Sequence, residues 1–324
     1  MLTLAQVKAA AEVLKGVVSR TPLLENKDVN KRLGGRLLLK AECAQRTGAF
    51  KIRGAYWRIL NMSEAERACG AVTYSSGNHA LGVARAAQLL GSTALIVMPS
   101  DVPKAKMDAT RALGAEIVTF DRDTESSDDV VERIRQETGR LIVPPSAHHL
   151  VLAGAGTAAL ELFEQSQEMK AELDAVLIPC GGGGLTAATA VVMSEASPKT
   201  QVYAVEPELF DDTRKSLIEG KPVPNPKGLR TICDAIMTPI PNELTFSINK
   251  ELLAGGLIVS DQHVRAAMRF AFEHYKIVTE PGAVVGLAAV LSGQIDIIGK
   301  TIATVITGGN IDASRFCAII GPEL

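Results

Sequence analysis

Short β-branched or apolar runs alternate with single helical segments along most of this chain, and that alternation restricts its fold more than any other feature. Ala71–Tyr74 reads as a strand and Gly77–Leu90 as a helix with small residues on its packing face. Ala94–Met98, Pro103–Leu113 and Ala115–Phe120 repeat strand, helix and strand, the helix opened by its proline. Ser126–Thr138 has the charge pattern of an amphipathic helix and leads to the short strand Leu141–Val143. The alternation resumes with a helix over Gly154–Gln165, strands at Ala175–Pro179 and Val202–Val205, and helices from Leu185 and Asp212. A strand at Leu257–Val259, helices over Asp261–Tyr275 and Gly282–Leu291, and a last strand at Ile302–Ile306 complete it. Strands separated by one helix pair in parallel through crossover connections, so the expected class is α/β, with open twisted, mostly parallel sheets flanked by helices.

A chain of 324 residues has room for two domains. Residues 70–143 form a compact β-α-β-α-β-α-β block bounded by Cys69-Gly70 and Pro144-Pro145. The expected organisation is a small domain, 70–143, inserted into a larger one built from 1–69 and 144–324, with a ligand in the cleft. Net charge is −2 and no Lys/Arg block occurs, so neither a nucleic acid nor a membrane surface is an expected partner. The first segment, MLTLAQVKAAAEVLKGVV, is interrupted by Lys8, Glu12 and Lys15 and reads as an amphipathic helix, not a secretory signal. No apolar run approaches the ~20 residues that span a bilayer. Five cysteines without a CxxC pair argue for reduced thiols in a cytoplasm, and against a disulfide framework or a zinc site.

Chemistry first appears at Lys51, inside ECAQRTGAFKIRG (Glu42–Gly54). Most lysines are solvated surface cations. This one follows the apolar run Leu37, Leu38, Leu39 and a polar turn, is flanked by Phe50 and Ile52, and has Arg53 two residues away. Apolar neighbours and a nearby cation lower a lysine pKa, and a neutral amine is what imine-forming chemistry requires.

Three polar clusters follow strands. Cys180–Gly184 (CGGGG) lies between AVLIP and the helix starting at Leu185, where free backbone N–H groups at a positive helix end make a phosphate cradle. The spacing is not GxGxxG, which leaves dinucleotide binding the weaker interpretation. Ser75, Ser76, Gly77, Asn78 and His79 follow the strand AVTY; a helix cap needs one serine, and this set of hydroxyls, amide and N–H groups suits a carboxylate. Thr307-Gly308-Gly309-Asn310 follows the last strand. Ligands bind at the carboxyl ends of parallel strands, so the three clusters converge there. Phosphate cradle, carboxylate site, terminal hydroxyl and desolvated lysine together describe a pyridoxal-phosphate pocket for an amino acid.

The motifs GAFKIRGA, SSGNHALG, AGAGTAALE, CGGGGL, VEPELFDD and TGGN occur in the order found in pyridoxal-phosphate enzymes of fold type II, the tryptophan-synthase-β-like class. Across nearly the whole chain the sequence resembles the threonine/serine dehydratase and serine racemase family. That resemblance implies that Lys51 carries pyridoxal 5′-phosphate. It gives Phe50 to the ring face, Asn78 to the ring 3′-oxygen, Gly181, Gly182, Gly183, Gly184 and Leu185 to the phosphate, and Thr307 to the pyridine nitrogen. Ser75, Ser76, Gly77, Asn78 and His79 would bind the amino-acid substrate. A divalent cation, Mg²⁺ or Ca²⁺, would be held by Glu206, Asp212 and the backbone oxygen of Phe210; two acids in a loop otherwise read as a solvated turn. The resemblance also implies a homodimer.

Departures from the family bear on the substrate. The run before AGAGT is Ser146-Ala147-His148-His149-Leu150 where relatives are rich in aspartate, and Ala155 replaces a glutamine. No arginine stands near Ser127, where the racemases have one, and Ala235 replaces a glycine. His148 and His149 are then candidates to bind a second substrate carboxylate. The expected activity is that of a cytoplasmic ammonia-lyase on a β-hydroxy L-amino acid of the threonine or serine type. The alternatives are a racemase, with Ser76 returning a proton to the opposite face, and a hydroxyaspartate-type dehydratase. An oxidoreductase would need different glycine spacing, and a non-catalytic binding protein would have no use for Lys51. With little chain after TGGN, the expectation is a short catabolic enzyme without a regulatory tail.

Overall fold

The computed structural model describes residues 2–102, 104–121 and 123–321. Met1 of the first segment, Pro103 as opener of its helix, and residues 322–324 of the larger expected domain lie outside the described residues. Ten strands occur in order: β1 (Leu23–Glu25), β2 (Arg36–Ala41), β3 (Ala71–Tyr74), β4 (Ala94–Pro99), β5 (Glu116–Phe120), β6 (Leu141–Ile142), β7 (Ala175–Pro179), β8 (Gln201–Pro207), β9 (Gly255–Val259) and β10 (Thr301–Ile306). They form a six-stranded sheet, β1-β2-β10-β7-β8-β9, and a four-stranded sheet, β5-β4-β3-β6. Every pairing is parallel except β1 with β2. The chain is α/β, as the alternation requires. Among the described residues, no helix is long and apolar enough to cross a membrane.

The central strands β2, β7 and β10 are buried on both faces, which explains their unbroken apolar runs. The helix expected over Gly282–Leu291 is a turn, Pro281–Ala283, and then a helix, Val285–Leu291, and that over Asp261–Tyr275 is α-helical to Phe270. The helix expected over Gly154–Gln165 starts earlier. It spans His149–Glu168, beginning five residues before Gly154, because His148 takes the cap position and its Nδ1 accepts from Leu150 N at 3.1 Å.

The helix Lys51–Leu60 lies where the two layers meet. Its Ala55 and Ile59 belong to the same apolar cluster as Ala71, Ile96 and Met98 of the small sheet. Its other flank meets the His149–Glu168 helix so closely that a Cβ on Gly54 would come within 2.6 Å of Val151 O, and one on Gly154 within 2.4 Å of Arg53 O. Gly82, on the helix Asn78–Leu89, likewise approaches the Lys51 carbonyl carbon and Ile52 nitrogen, at 3.0 Å each from its ideal Cβ. Small residues in GAFKIRGA, HALG and AGAGT thus clamp the lysine backbone between two helices.

Charge fixes the same helix from beneath. Arg53 and Glu42 are fully buried and pair through Nε–Oε2 and Nη2–Oε1, both 2.8 Å. Arg53 also reaches Glu161 (Nη1–Oε1 2.8 Å, Nη2–Oε2 2.9 Å), and buried Lys40 donates to Glu161 Oε2 at 2.6 Å. Two cations and two carboxylates therefore balance in the interior.

Candidate active site

A cavity of about 710 Å³ opens between the carboxyl ends of strands from both sheets. Its wall includes Phe50 and Lys51, the whole stretch Ser75 to His79, Gly181 to Leu185, and Thr307. Residues expected to act together from separate segments thus line one space. Glu206, Phe210 and Asp212 do not line it.

Lys51 is the first residue of its helix. Its Nζ donates to Pro145 O at 2.9 Å and stands 5.1 Å from the centroid of the Phe50 ring. The side chain opens onto the cavity but is enclosed by protein. Burial lowers its pKa to about 8, and the charge of Glu280 opposes that shift. Arg53, the cation expected to depress it, is instead spent on Glu42 and Glu161.

Gly181 to Gly184 lead from β7 into the helix Gly184–Ala196. Gly183 has φ +73°, which favours glycine, and a Cβ there would come within 2.7 Å of Asn249 Nδ2. A Cβ on Gly182 would approach Ser146 Oγ to 2.7 Å. The loop is shaped by the absence of side chains, and it leaves a helix N-terminus at the cavity.

At the small-sheet end, Gly77 is the cap residue of the helix Asn78–Leu89, so Ser76 does not take the capping role open to it. Ser75 Oγ accepts from Gly77 N at 3.2 Å, whereas no described residue hydrogen-bonds the Ser76 hydroxyl. His79 is buried, with Nε2 2.9 Å from Val143 O; burial and then the charge of Lys51 lower its pKa to about 3, so it is neutral. Thr307 is buried at the end of β10, where its carbonyl accepts from Phe50 N at 3.1 Å.

The histidine pair does not meet the expectation for a second carboxylate. Neither His148 nor His149 lines the cavity, although Pro145 and Ser146 of the same segment do. His148 is committed to capping its helix, and burial, then Arg58 and His149, lower its pKa. Ser127 begins the helix Ser127–Thr138 away from the cavity, while Ala235 lines it.

Glu206 and Asp212 of VEPELFDD are buried, not solvated. Glu206 Oε1 and Oε2 accept from the backbone nitrogens of Thr213 (2.9 Å) and Arg214 (2.8 Å), tying β8 to the helix Asp212–Glu219. Asp212 Oδ1 accepts from Asn225 at 2.7 Å, and its Oδ2 is buried without a partner. Burial and then Asp212 push Glu206 up to about 8, and burial pushes Asp212 up to about 7. Among the described residues, no group of three or more His, Cys, Asp or Glu side chains is placed to hold a metal.

Sequence reasoning missed Glu280, a buried acid on the cavity wall. The available signal was an acid inside the otherwise uncharged run IVTEPGAVVG, where a solvated carboxylate is out of place. It also missed Lys106, Asp234 and Arg315 at the cavity, where Asp234 Oδ2 lies 3.7 Å from Lys106 and 2.9 Å from Arg315.

The model of a family described as "Pyridoxal-phosphate dependent enzyme" matches residues 14–308. The L-threo-3-hydroxyaspartate ammonia-lyase of Saccharomyces cerevisiae is 38% identical over 318 residues, covering 98% of this chain and 96% of its own. The serine racemase of Schizosaccharomyces pombe is also 38% identical, over 96% of this chain and 94% of its own. The crystal structure of a threonine deaminase from T.th. superposes with a TM-score of 0.90 at 41% identity, over 96% of this chain and 99% of that one.

Proposed function

The chain belongs to the pyridoxal-phosphate dependent enzymes, and from that premise we propose that it is an ammonia-lyase converting a β-hydroxy L-amino acid to a 2-oxo acid and ammonia. The observation that carries the reading is a buried lysine, its pKa lowered to about 8, on one cavity with a glycine cradle and a hydroxyl-rich helix start. The cradle fits a phosphate because side chains at Gly182 or Gly183 would collide with their surroundings, which leaves the space to backbone N–H groups. Lys51 would hold pyridoxal phosphate through its amine, Phe50 its ring face, Asn78 its 3′-oxygen, Gly181 to Gly184 with Leu185 its phosphate, and Thr307 its ring nitrogen. We take residues 1–69 with 144–324 and residues 70–143 as two domains closing on this cavity, and the enzyme as a homodimer.

When bound, the cofactor supplies an electron sink for charge developing at the substrate Cα. Ser75, Ser76 and the N–H groups beginning the helix Asn78–Leu89 bind the substrate carboxylate. Lys51, as the free amine, takes the Cα proton on Nζ. The Pro145 carbonyl, 2.9 Å from Nζ in the resting site, is placed to accept from the ammonium that results. The β-hydroxyl leaves as water, taking up the proton removed from Cα, and addition of water to the released enamine gives the 2-oxo acid and ammonia.

Two observations favour neighbouring readings. The uncommitted Ser76 hydroxyl suits a proton donor on the opposite face, and hence a racemase. Lys106 and Arg315 are cations at the cavity, which suits a dicarboxylate such as hydroxyaspartate. For Glu206 and Asp212 we propose one divalent cation, supported by the unpartnered Asp212 Oδ2 beside a second buried carboxylate.

Turnover on a panel of β-hydroxy amino acids, scored for both ammonia and enantiomer, tests the activity. Lys51→Ala tests the site: turnover should vanish, with no borohydride-reducible cofactor left on the protein. A mutant that still retains such a cofactor would place the attachment on another lysine.

A further inference from the structure

The cavity contains an acid that the lyase reading leaves unused. Glu280 precedes the turn Pro281–Ala283 and is only 7% exposed. Its Oε1 accepts from Asn78 Nδ2 at 2.5 Å, the sole hydrogen bond of its side chain among the described residues. Asn78 Oδ1 in turn accepts from Asn310 Nδ2 at 2.8 Å, and Asn310 Nδ2 also donates to Thr47 O at 2.8 Å. The Asn78 amide is thereby held at both ends, leaving one N–H to point elsewhere. Gly308 permits the contact, since a Cβ there would lie 2.2 Å from Glu280 Oε1 and 3.0 Å from Asn78 Nδ2.

Several charged or titratable groups act on this carboxyl or feel it. Burial pushes Glu280 up to about 7; the Asn78 bond, Lys106 and Arg315 act against that shift, and Asp234 adds to it. Cys43, pushed up to about 11 mainly by burial, also feels the Glu280 charge. Lys51 lines the same cavity wall, and the Glu280 charge opposes the effect of burial on its amine.

We propose that Glu280 is a positioning residue of this site, which turns the Asn78 amide toward the cavity and sets a negative charge on the wall that Lys51 shares. The inference rests on the reading that Lys51 takes up the cofactor. As the carboxylate, Glu280 stabilises a positive charge on Nζ and slows capture of an aldehyde. As the acid, with its proton on Oε2, it keeps the Asn78 bond and no longer stabilises that positive charge.

The test follows loading of pyridoxal phosphate onto the full chain stripped of cofactor, read as the growth of visible absorbance at a series of pH values. Glu280→Gln keeps an oxygen for Asn78 and removes the charge. The midpoint of the loading-rate profile should move down by roughly one pH unit, the size expected for loss of one close opposite charge. A midpoint that stays or moves up overturns the charge role. Gly308→Ala keeps the charge but drives the carboxyl off Asn78, and should weaken equilibrium cofactor binding at least about tenfold by fluorescence titration, a modest loss for second-layer residues. Unchanged binding in that variant overturns the positioning role. If the wild-type chain forms no covalent cofactor band at all, the Lys51 reading fails instead, a result distinct from either outcome above.

Discussion

Replacing Arg53 by methionine should destabilise the protein by about 3–5 kcal/mol at neutral pH, the usual cost of removing one partner from a buried ion pair. The size follows from charge counting. Wild type sets Arg53 and Lys40 against Glu42 and Glu161, and the substitution leaves Lys40 alone against two carboxylates. Glu42, fully buried, keeps only the Thr21 hydroxyl, at 2.5 Å. In wild type, burial pushes the Glu42 pKa up, but Arg53, with Lys40 and Thr21, more than reverses this and holds it below the usual carboxylate range. A depressed native pKa contributes stability above the unfolded value, and this is lost as pH falls through the native one. In the variant burial prevails, the native carboxyl binds a proton that the unfolded chain does not, and stability rises as pH falls from neutral. Between pH 7.5 and pH 5 the second trend closes the gap, because the wild-type contribution persists down to the unfolded value. Urea unfolding at pH 7.5 and pH 5, followed by the fluorescence of Trp57 on the same helix, measures it. Adding Glu42→Gln to Arg53→Met should recover part of the loss at pH 7.5 and little at pH 5. A neutral-pH loss below about 1 kcal/mol, within the range of an exposed pair, or an equal loss at both pH values, would refute the reasoning.

Ser76→Ala and Ser76→Gly should keep stability within about 0.5 kcal/mol, because the hydroxyl caps nothing, and should raise KM for L-substrate elimination with kcat largely kept, while any racemisation is lost. Parallel loss of both activities would make Ser76 a carboxylate ligand only. Chelation of divalent cations should lower melting temperature and turnover together, and Asp212→Asn should mimic it; at a cation concentration about one hundred times Kd the stabilisation lost is about 2.7 kcal/mol. Insensitivity of both quantities to chelator would reduce Glu206 and Asp212 to a helix-capping pair. Gly183→Ala should cost about 1–2 kcal/mol from its φ of +73° alone and raise the cofactor dissociation constant at least about tenfold. An unchanged constant would remove the cradle assignment.

The α/β class was legible because β3 and β4, like β7 and β8, are apolar runs separated by a single helix, and a parallel sheet buried on both faces demands that pattern. β1 was not. It is three residues long, half-buried and antiparallel at a sheet edge, so it carries neither an apolar run nor a crossover. The start of the His149–Glu168 helix was obscured for a different reason: histidine is a weak capping signal, and only the local geometry turns His148 Nδ1 toward Leu150 N.

Within the site, legibility followed the backbone. Gly181 to Gly184, Ser75 to Asn78 and Thr307 each follow a strand, and the carboxyl ends of parallel strands converge whatever the loops contain. What stayed hidden was the pairing of charges. Lys51 and Arg53 are two residues apart, yet helix geometry turns Arg53 to Glu42 and Glu161 and leaves Lys51 to Glu280, far along the chain. Proximity in sequence therefore pointed to the wrong cation as the agent on Lys51: burial supplies the downward shift, and the one nearby charge opposes it. Burial brings the amine toward the operating pH, where a general base is most effective, and a fully exposed ammonium would have no lone pair to offer. Burial of the Lys51 side chain thus sets the basicity of the group that works in the cavity, which ties packing of its helix against Gly82 and Gly154 directly to the chemistry.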